Sequence, residues 1–396
     1  MSSRGDRPFH HRGSGKAPAK PAESGFRARR LSTTTKDPKK PDATDMSGMK
    51  DALPGSESSP LPGRRGRRMS MSPEMGVVKP RASLPFEPVN VGTYSCHGVE
   101  PGHNVGETNA KINQDRGCII SPLQPDQPSE TLVMALFCVY DGHGQFGDKV
   151  SEFVAQLVVT KVEAHPALCS DPAKALIDAF DSVDSDLLKD QSIDAQLSGT
   201  TAVVSLFVYD AATDKTTIFT ANAGDSRSVL AQQTPKGVKA VDLSEDQKPD
   251  TPAEMARIRK AGGYVSPPEE EWGGPARVWM DDRMQLPGLA MGRSIGDHLV
   301  KSVGVIATPE VKQHVIGPND LYVVMASDGV WEFIESQIAI NIVEKLMEKG
   351  ATDACTKLIE TAAAKWRQEE GDYRDDITAV CLKVSEVVAD LKAQAK

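Results

Sequence analysis

The order of apolar and polar residues after position 86 follows two spacings, one typical of β-strands and one typical of α-helices. Eight short apolar runs predict strands, at residues 89–96, 116–120, 132–140, 200–209, 216–221, 226–231, 321–326 and 377–384. The third run, LVMALFCVY, is apolar throughout, which predicts a strand buried on both faces. Short strands that follow one another across brief turns indicate antiparallel sheets.

Apolar residues three or four positions apart predict helices in five segments. These segments are residues 146–162, a stretch that begins after Asp171, a stretch that begins after Thr251, and residues 336–349 and 352–366. Asp171 stands before Pro172, which predicts an N-cap with proline at the first helical position. Thr251 and Glu254 have the spacing of a capping box, and Gly262 predicts the end of that helix.

Strand segments and helix segments are largely separated along the chain. The predicted fold class is therefore α+β, with helices packed on antiparallel sheets. Residues 264–288 are rich in Pro, Gly and Glu, and we expect an irregular, flap-like surface excursion there. The folded domain should span residues 86–390, without an internal repeat.

The charge of the chain is divided unevenly. Residues 1–85 contain 18 Lys and Arg and 8 Asp and Glu, a net charge of +10, whereas the other 311 residues carry a net charge of -19. The first segment is dense in Pro, Ser, Gly and Arg and has few residues that build a core. It cannot bury enough apolar surface to offset its ordering entropy, so we predict a disordered basic tail.

Several classes of protein are excluded by what the sequence lacks. No apolar run approaches the roughly 18 residues of a membrane helix, and we expect no transmembrane segment. The first residues, MSSRGDRPFHH, have no apolar core, which argues against a secretory signal. The six cysteines form no C-x-x-C pair, which favours thiols in a reducing compartment over disulfides or zinc.

Four acidic motifs lie at strand ends or in tight turns, and they are NQD (113–115), YDGHG (140–144), ASDG (326–329) and YRDD (373–376). Carboxylates that converge on one point repel unless a proton or a cation neutralises them. An oxygen-only ligand set suits Mg²⁺ or Mn²⁺ better than zinc. Each motif also has a structural reading, because Asp-Gly is common in turns.

Six motifs in this order resemble the metal-dependent serine/threonine protein phosphatases of type 2C. They are VYDGHG (139–144), SGTTAVV (198–204), ANAGDSR (221–227), LAMGRSIGD (289–297), ASDGVWE (326–332) and RDDITAV (374–380). The resemblance covers about residues 88–386 and is nearest to the plant- and protist-type branch. It implies two packed antiparallel sheets flanked by helices, an α-β-β-α sandwich.

The resemblance also implies roles for individual residues. Asp141 would bridge two Mg²⁺ or Mn²⁺ ions, with the Gly142 carbonyl as a further ligand. The other implied metal-site carboxylates are Asp328, Asp375, Asp115 and, for a weaker third ion, Asp225. A bridging hydroxide would attack phosphorus directly, without a phosphoenzyme. His143 would give a proton to the leaving serine or threonine oxygen.

Three positions depart from the pattern of many family members. Gln114 stands where those members have Glu, so one water-anchoring charge is missing. A phosphate-binding Arg is replaced by Ala110, and the neighbouring Lys111 either supplies that positive charge or is simply solvated. Glu332 replaces an Asp and should weaken binding of the third ion. We expect Arg293 and Thr201 to be scaffold residues.

The tail contains two patterns that suit basophilic kinases, Arg29-Arg30-Leu31-Ser32 and Arg67-Arg68-Met69-Ser70. Ser32 and Ser70 are therefore candidate phosphosites. The basic run at residues 64–68 fits a nuclear address or an anionic surface contact, while the simpler alternative is a flexible solubilising arm. We expect a cytoplasmic location, with nuclear entry depending on that run.

The sequence as a whole favours a phosphoserine/phosphothreonine phosphatase acting on phosphoprotein substrates as a monomer. The alternative is a catalytically weak pseudophosphatase that binds phosphoproteins or kinases as a regulator. The retained Asp141, Asp328, Asp375 and His143 argue against that alternative. We expect no nucleic-acid partner, because no aromatic residues interleave the basic ones and the folded part is acidic.

Removing residues 1–85 should leave the fold and the metal-dependent activity intact. The +10 tail is attracted to the -19 domain, and such attraction is screened over about 10 Å at 0.1 M salt. At low ionic strength the shortened chain should therefore match or exceed the full chain in turnover rate, and the difference should close as salt is added. A soluble but inactive shortened chain would show that the tail helps to build the site.

Overall fold

The computed structural model describes residues 67–70, 85–102, 106–268 and 274–396. Its strands, in chain order, are β1 (Arg67–Ser70), β2 (Val91–Cys96), β3 (Val99–Pro101), β4 (Thr108–Ala110), β5 (Arg116–Ser121), β6 (Leu132–Tyr140), β7 (Gly142–His143), β8 (Gly199–Thr200), β9 (Ala202–Asp210), β10 (Lys215–Ala223), β11 (Arg227–Thr234), β12 (Gly237–Asp242), β13 (Tyr264–Ser266), β14 (Arg277–Trp279), β15 (Pro287–Leu289), β16 (Ile295–Gly296), β17 (Glu310–Val315), β18 (Asp320–Ala326) and β19 (Ile377–Lys383). Its helices are α1 (Gly147–Glu163), α2 (Pro172–Lys189), α3 (Pro252–Lys260), α4 (His298–Lys301), α5 (Asp328–Trp331), α6 (Ser336–Met347), α7 (Ala351–Glu370) and α8 (Val384–Gln394). None of these helices is long and apolar enough to span a membrane.

Two large antiparallel sheets form the centre of the molecule. The first has the strand order β1-β5-β6-β9-β10-β17 and the second has the order β12-β11-β18-β19-β2. Helices α1 and α2 pack on the outer face of the first sheet, and α6 and α7 pack on the outer face of the second. The α-β-β-α sandwich and the α+β class are therefore confirmed.

Strand β6 shows how the sequence specifies these layers. Met134 and Leu136 pack into the apolar cluster beneath α1 and α2. Phe137 and Val139 point to the opposite face and join the cluster between the sheets, which also contains Val323 of β18. Side chains alternate across a strand, so a run that is apolar at every position can fill both layers.

Several elements differ from the sequence prediction. Strand β17 lies at the edge of the first sheet and is largely exposed, so its sequence EVKQHV lacks an apolar run. Helix α8 begins directly after β19 with Val384, which the apolar pattern assigns to the preceding strand. The segment 264–288, expected to be irregular, contributes the small antiparallel sheet β13-β14-β15.

Of the two predicted helix caps, one is confirmed and one is wrong. The Asp171 side chain accepts a hydrogen bond from the backbone N–H of Lys174 at 3.0 Å, as an N-cap should. The Thr251 side chain makes no capping bond. Glu254 instead accepts hydrogen bonds from Arg293 and Arg257, because two guanidinium groups attract its carboxylate more strongly than a backbone N–H.

The predicted tail, residues 1–85, falls almost entirely outside the described residues, and so does Ser32. Strand β1 is the exception, because its backbone pairs antiparallel with β5, with Ser70 opposite Cys118. The tail therefore has one described element, which lies at the edge of the first sheet.

Candidate metal centre

Three of the predicted carboxylates come from loops where the two large sheets meet. Asp141 follows β6 of the first sheet, and Asp225 lies between β10 of the first sheet and β11 of the second. Asp328 begins α5, two residues after the last residue of β18 in the second sheet. Face-to-face packing of the sheets thus brings together residues that lie up to 187 positions apart in the chain.

The three side chains form one acidic cluster. One carboxylate oxygen from each of Asp141, Asp225 and Asp328 lies within 4.8 Å of the others. Asp141 and Asp225 are buried, and Asp328 is half-buried. Three negative charges this close repel unless a cation neutralises them, and a donor set of oxygen atoms alone fits Mg²⁺ or Mn²⁺.

Thr201 ties two of these loops to each other. The backbone N–H of Asp141 donates to the Thr201 hydroxyl at 3.0 Å, and the Thr201 N–H donates to the Asp141 carbonyl at 2.9 Å. The same hydroxyl lies 2.7 Å from that of Ser226, which is the neighbour of Asp225. Thr201 therefore fixes the spacing of two carboxylates, in keeping with its predicted scaffold role.

Gly142 follows Asp141 in a crowded position. A Cβ atom there would overlap the backbone of Gly147 and Gln114. A larger residue would push the Asp141 loop away from helix α1, which begins at Gly147. The requirement for glycine here is therefore steric.

Lys248 is a part of the cluster that the sequence did not indicate. Its Nζ atom lies 2.6 Å from Oδ2 of Asp225. Burial alone would lower the pKa of Lys248, but the charges of Asp225 and Asp328 raise it above its ordinary value. Lys248 thus remains charged and offsets part of the negative charge. A lysine in a loop gives no local signal of this role.

A second acidic group contains Asp115, Asp375 and Asp376. Asp375 accepts a hydrogen bond from Nζ of Lys111 at 2.9 Å, and that Nζ also lies 5.2 Å from the ring centre of Tyr373. Asp376 accepts from the backbone N–H groups of residues 98 and 114. Asp115 and Asp375, predicted as metal ligands, are therefore not among the three clustered carboxylates.

Burial dominates the electrostatics of this second group. Desolvation and the nearby charge of Asp376 raise the pKa of Asp115 to about 8. Desolvation and the charge of Asp375 also raise the pKa of Asp376, although Lys111 opposes this shift. Burial works against the charged form of Lys111 as well, but Asp375 and Asp376 hold its pKa well above the ordinary value.

His143 is buried next to Gly142, and its Nε2 atom lies 2.7 Å from Oδ2 of Asp297. Burial would raise the pKa of Asp297, but His143 and the Ser294 hydroxyl lower it below the ordinary value. In the sequence, Asp297 is marked only as the last residue of the motif LAMGRSIGD. Its pairing with a residue 154 positions away carries no signal in the local sequence.

Two further residues of these motifs have structural partners, and a third lies apart from the acidic cluster. Gln114 uses its Nε2 atom to donate to the Gly144 carbonyl at 2.8 Å. Arg293 binds the carboxylates of Glu254 and Glu310 at 2.7 and 2.8 Å, as a scaffold residue would. Glu332 does not belong to the cluster of three carboxylates found among the described residues.

Replacing Asp115 with Asn should stabilise the metal-free protein at alkaline pH but not at acidic pH. The folded carboxyl keeps its proton up to about pH 8, whereas the unfolded one loses it near its ordinary value. The folded state therefore binds more protons in this interval, so the free energy of unfolding falls as pH rises through it. Asn retains the acceptor for the Ser327 hydroxyl without the charge.

Thermal denaturation in EDTA at about pH 5 and about pH 9 tests this expectation. The Asn variant should melt higher at the alkaline pH, by roughly 2–4 °C for each kcal/mol regained. Asp282→Asn, at an exposed position, is the control and should show no such dependence. An Asp115→Asn variant with the same change in Tm at both pH values would contradict the assignment of a buried, protonated carboxyl.

Comparisons with known proteins agree with this architecture. Residues 105–371 match the family described as protein phosphatase 2C. An Arabidopsis thaliana protein named "Probable protein phosphatase 2C 35" is 36% identical over 294 residues, which cover 70% of this chain and 80% of that protein. Another Arabidopsis thaliana protein, "Probable protein phosphatase 2C 72", is 34% identical over 74% of this chain and 91% of its own length.

A solved structure supports the fold independently. The serine-threonine phosphatase 2C from Toxoplasma gondii superimposes with a TM-score of 0.59 at 22% identity, over 76% of this chain and 96% of that one. The expected plant- and protist-type branch is confirmed by these relatives. The chain belongs to the protein phosphatase 2C family and is a protein serine/threonine phosphatase.

Proposed function

We propose that this phosphatase hydrolyses phosphoserine and phosphothreonine in proteins at a binuclear Mg²⁺ or Mn²⁺ centre, with a weaker third ion. The observation that carries the proposal is the cluster of Asp141, Asp225 and Asp328, whose oxygens lie within 4.8 Å of one another. Two divalent ions held at such a site lower the pKa of a bound water and neutralise the phosphoryl oxygens.

The chain supplies several candidate ligands for these ions. Asp141, the Gly142 carbonyl and Asp328 would hold the two principal ions, and Asp225 would hold the third. Asp375 would bind an ion in place of its present partner, the Lys111 ammonium. Lys111 would then be free to attract the phosphate of the substrate. Asp115 would orient water through its own hydrogen bonds, since the Ser327 hydroxyl already fixes one of its oxygens at 2.8 Å.

His143 is the proposed proton donor for the leaving alkoxide. Its Nδ1 atom has no hydrogen-bond partner among the described residues, and its Nε2 atom is committed to Asp297. Serine and threonine alkoxides are poor leaving groups, so protonation by a positioned side chain would contribute about 10²–10⁴-fold to the rate.

The basic tail and the acidic domain also lead us to propose a location and a form of regulation. We place the chain in the cytoplasm as a monomer, with the basic run at residues 64–68 allowing nuclear entry. Basophilic kinases would act on Ser32 and Ser70, adding about -1.5 to -2 charges each. These negative charges would weaken the attraction between the tail and the acidic domain.

Metal-dependent turnover of a phosphothreonine peptide tests the proposed function. The full chain should hydrolyse the peptide with Mn²⁺ or Mg²⁺ and lose that activity in EDTA. Asp328→Asn should lower turnover by more than about 100-fold, the upper end of the losses seen when only an outer partner of a metal site is removed. Asp282→Asn removes an exposed charge and should leave turnover unchanged.

The pseudophosphatase alternative, which the comparisons do not support, predicts a different result. The full chain would then bind the phosphopeptide with the same affinity in metal and in EDTA, and would release no phosphate. Turnover that persists in EDTA would instead contradict the metal centre.

A further inference from the structure

Asp297 occupies a position whose contacts suggest more than a structural purpose. It is 4% exposed and follows β16 at the start of the four-residue helix α4. An aspartate there would ordinarily cap the helix, yet its side chain makes no capping bond. Its Oδ2 atom instead accepts from His143 at 2.7 Å and from the Ser294 hydroxyl at 2.6 Å.

The backbone around this pair is built to bring the two side chains together. Gly199 of β8 pairs with both His143 and Gly296, so β8 lies between the two loops. A Cβ atom on residue 199 would overlap the Asp297 carboxylate and the His143 ring. The backbone N–H of Asp297 donates to the Ser198 carbonyl at 2.9 Å, which locks its loop onto the same strand.

This arrangement is costly for the folded protein. Asp297 has a φ of 51°, in the left-handed region that non-glycine residues seldom adopt. Burying a carboxylate also costs free energy unless its partners compensate. Backbone strain and carboxylate burial at the same residue both oppose folding. Their occurrence together indicates that Asp297 is required for function and not for stability.

Because the Asp297 carboxylate is an acceptor, the nitrogen of His143 that contacts it must be a donor. An ionised carboxylate can only accept hydrogen bonds, so Nε2 of His143 must be the donor in this pair. His143 is 6% exposed, and its buried Nδ1 atom has no hydrogen-bond partner among the described residues. Nδ1 is therefore the nitrogen that remains for the substrate.

We propose that Asp297 is a positioning residue that holds the Nε2–H of His143, so that the doubly protonated ring presents its Nδ1–H to the leaving oxygen of the phosphoester and keeps Nε2–H on Asp297 once that proton has moved. Ser294 holds the Asp297 carboxylate by a hydrogen bond. Gly199 has no side chain that would collide with the Asp297 carboxylate or the His143 ring. The inference rests on the proposed function, because it assigns the partner of the proton donor in that same site. Asp297 itself would touch neither the substrate nor a metal ion, since it is not in the cluster of three carboxylates.

Asp297→Asn is the decisive variant. Asn adopts the left-handed backbone readily and keeps an oxygen for Ser294, so the loop should fold, but the amide no longer dictates that Nε2 donates. Turnover of a phosphothreonine peptide should fall about 10–100-fold, the usual cost of losing an orienting partner. KM should change little. Turnover of p-nitrophenyl phosphate should fall much less, because nitrophenolate leaves without a proton.

Two further variants separate positioning from a general structural effect. Asp184→Asn removes a carboxylate that accepts from the backbone N–H of Gly296 at 2.8 Å in the same loop but does not contact His143. This variant should leave unchanged the ratio between turnover of the phosphothreonine peptide and turnover of p-nitrophenyl phosphate. Ser294→Ala should reduce peptide turnover in the same direction as Asp297→Asn, but by less.

A double variant and a spectrum complete the test. His143→Ala combined with Asp297→Asn should be no slower on the peptide than His143→Ala alone, because both changes remove one function. In the metal-free protein, the exchange-protected Nε2–H proton signal of His143, assigned by its loss in His143→Ala, should persist in Asp184→Asn and disappear in Asp297→Asn.

Equal losses on both substrates, additive losses in the double variant, or an unchanged Nε2–H signal in Asp297→Asn would each overturn the inference alone. Absence of metal-dependent turnover on either substrate in the unsubstituted chain would overturn the proposed function, and the inference with it.

Discussion

The packing of two sheets against each other forces carboxylates into one small volume. Strands β6 and β18 bury apolar residues between the sheets, and each is followed within two residues by an aspartate. Asp141 and Asp328 cannot move apart without disturbing that core, and Thr201 holds the Asp225 loop to the first of them. The energy of apolar burial therefore offsets the repulsion among like charges.

The negative charge of these carboxylates is neutralised in two ways. In the cluster of three carboxylates, Lys248 offsets one charge, which leaves a net negative site suited to cations. In the neighbouring group, Lys111 pairs with Asp375, and burial holds a proton on Asp115 up to about pH 8. Both arrangements respond to cations, because an arriving ion competes with a lysine or a proton for the same oxygens.

The sequence predicted those features that depend on local patterns. Strand β6 was predicted with its observed bounds, because a run of nine apolar residues has one stable placement, at the centre of the sandwich. The α+β class follows from the separation of strands and helices.

Strand β17 was missed because an exposed edge strand needs no apolar face. The predicted capping box at Thr251 is wrong because the Glu254 carboxylate binds Arg293, which lies 39 residues further along the chain. Long-range pairs such as His143 with Asp297 exist only in the folded chain.

Calorimetric titration of Mn²⁺ into the full chain tests most directly whether the clustered carboxylates form a metal site. The unsubstituted protein should bind Mn²⁺ and gain thermal stability from it. Asp141→Ala should lose that binding, while its metal-free Tm holds or rises because one repelling charge is gone. Retained Mn²⁺ binding in Asp141→Ala, with unchanged affinity and stabilisation, would contradict the account.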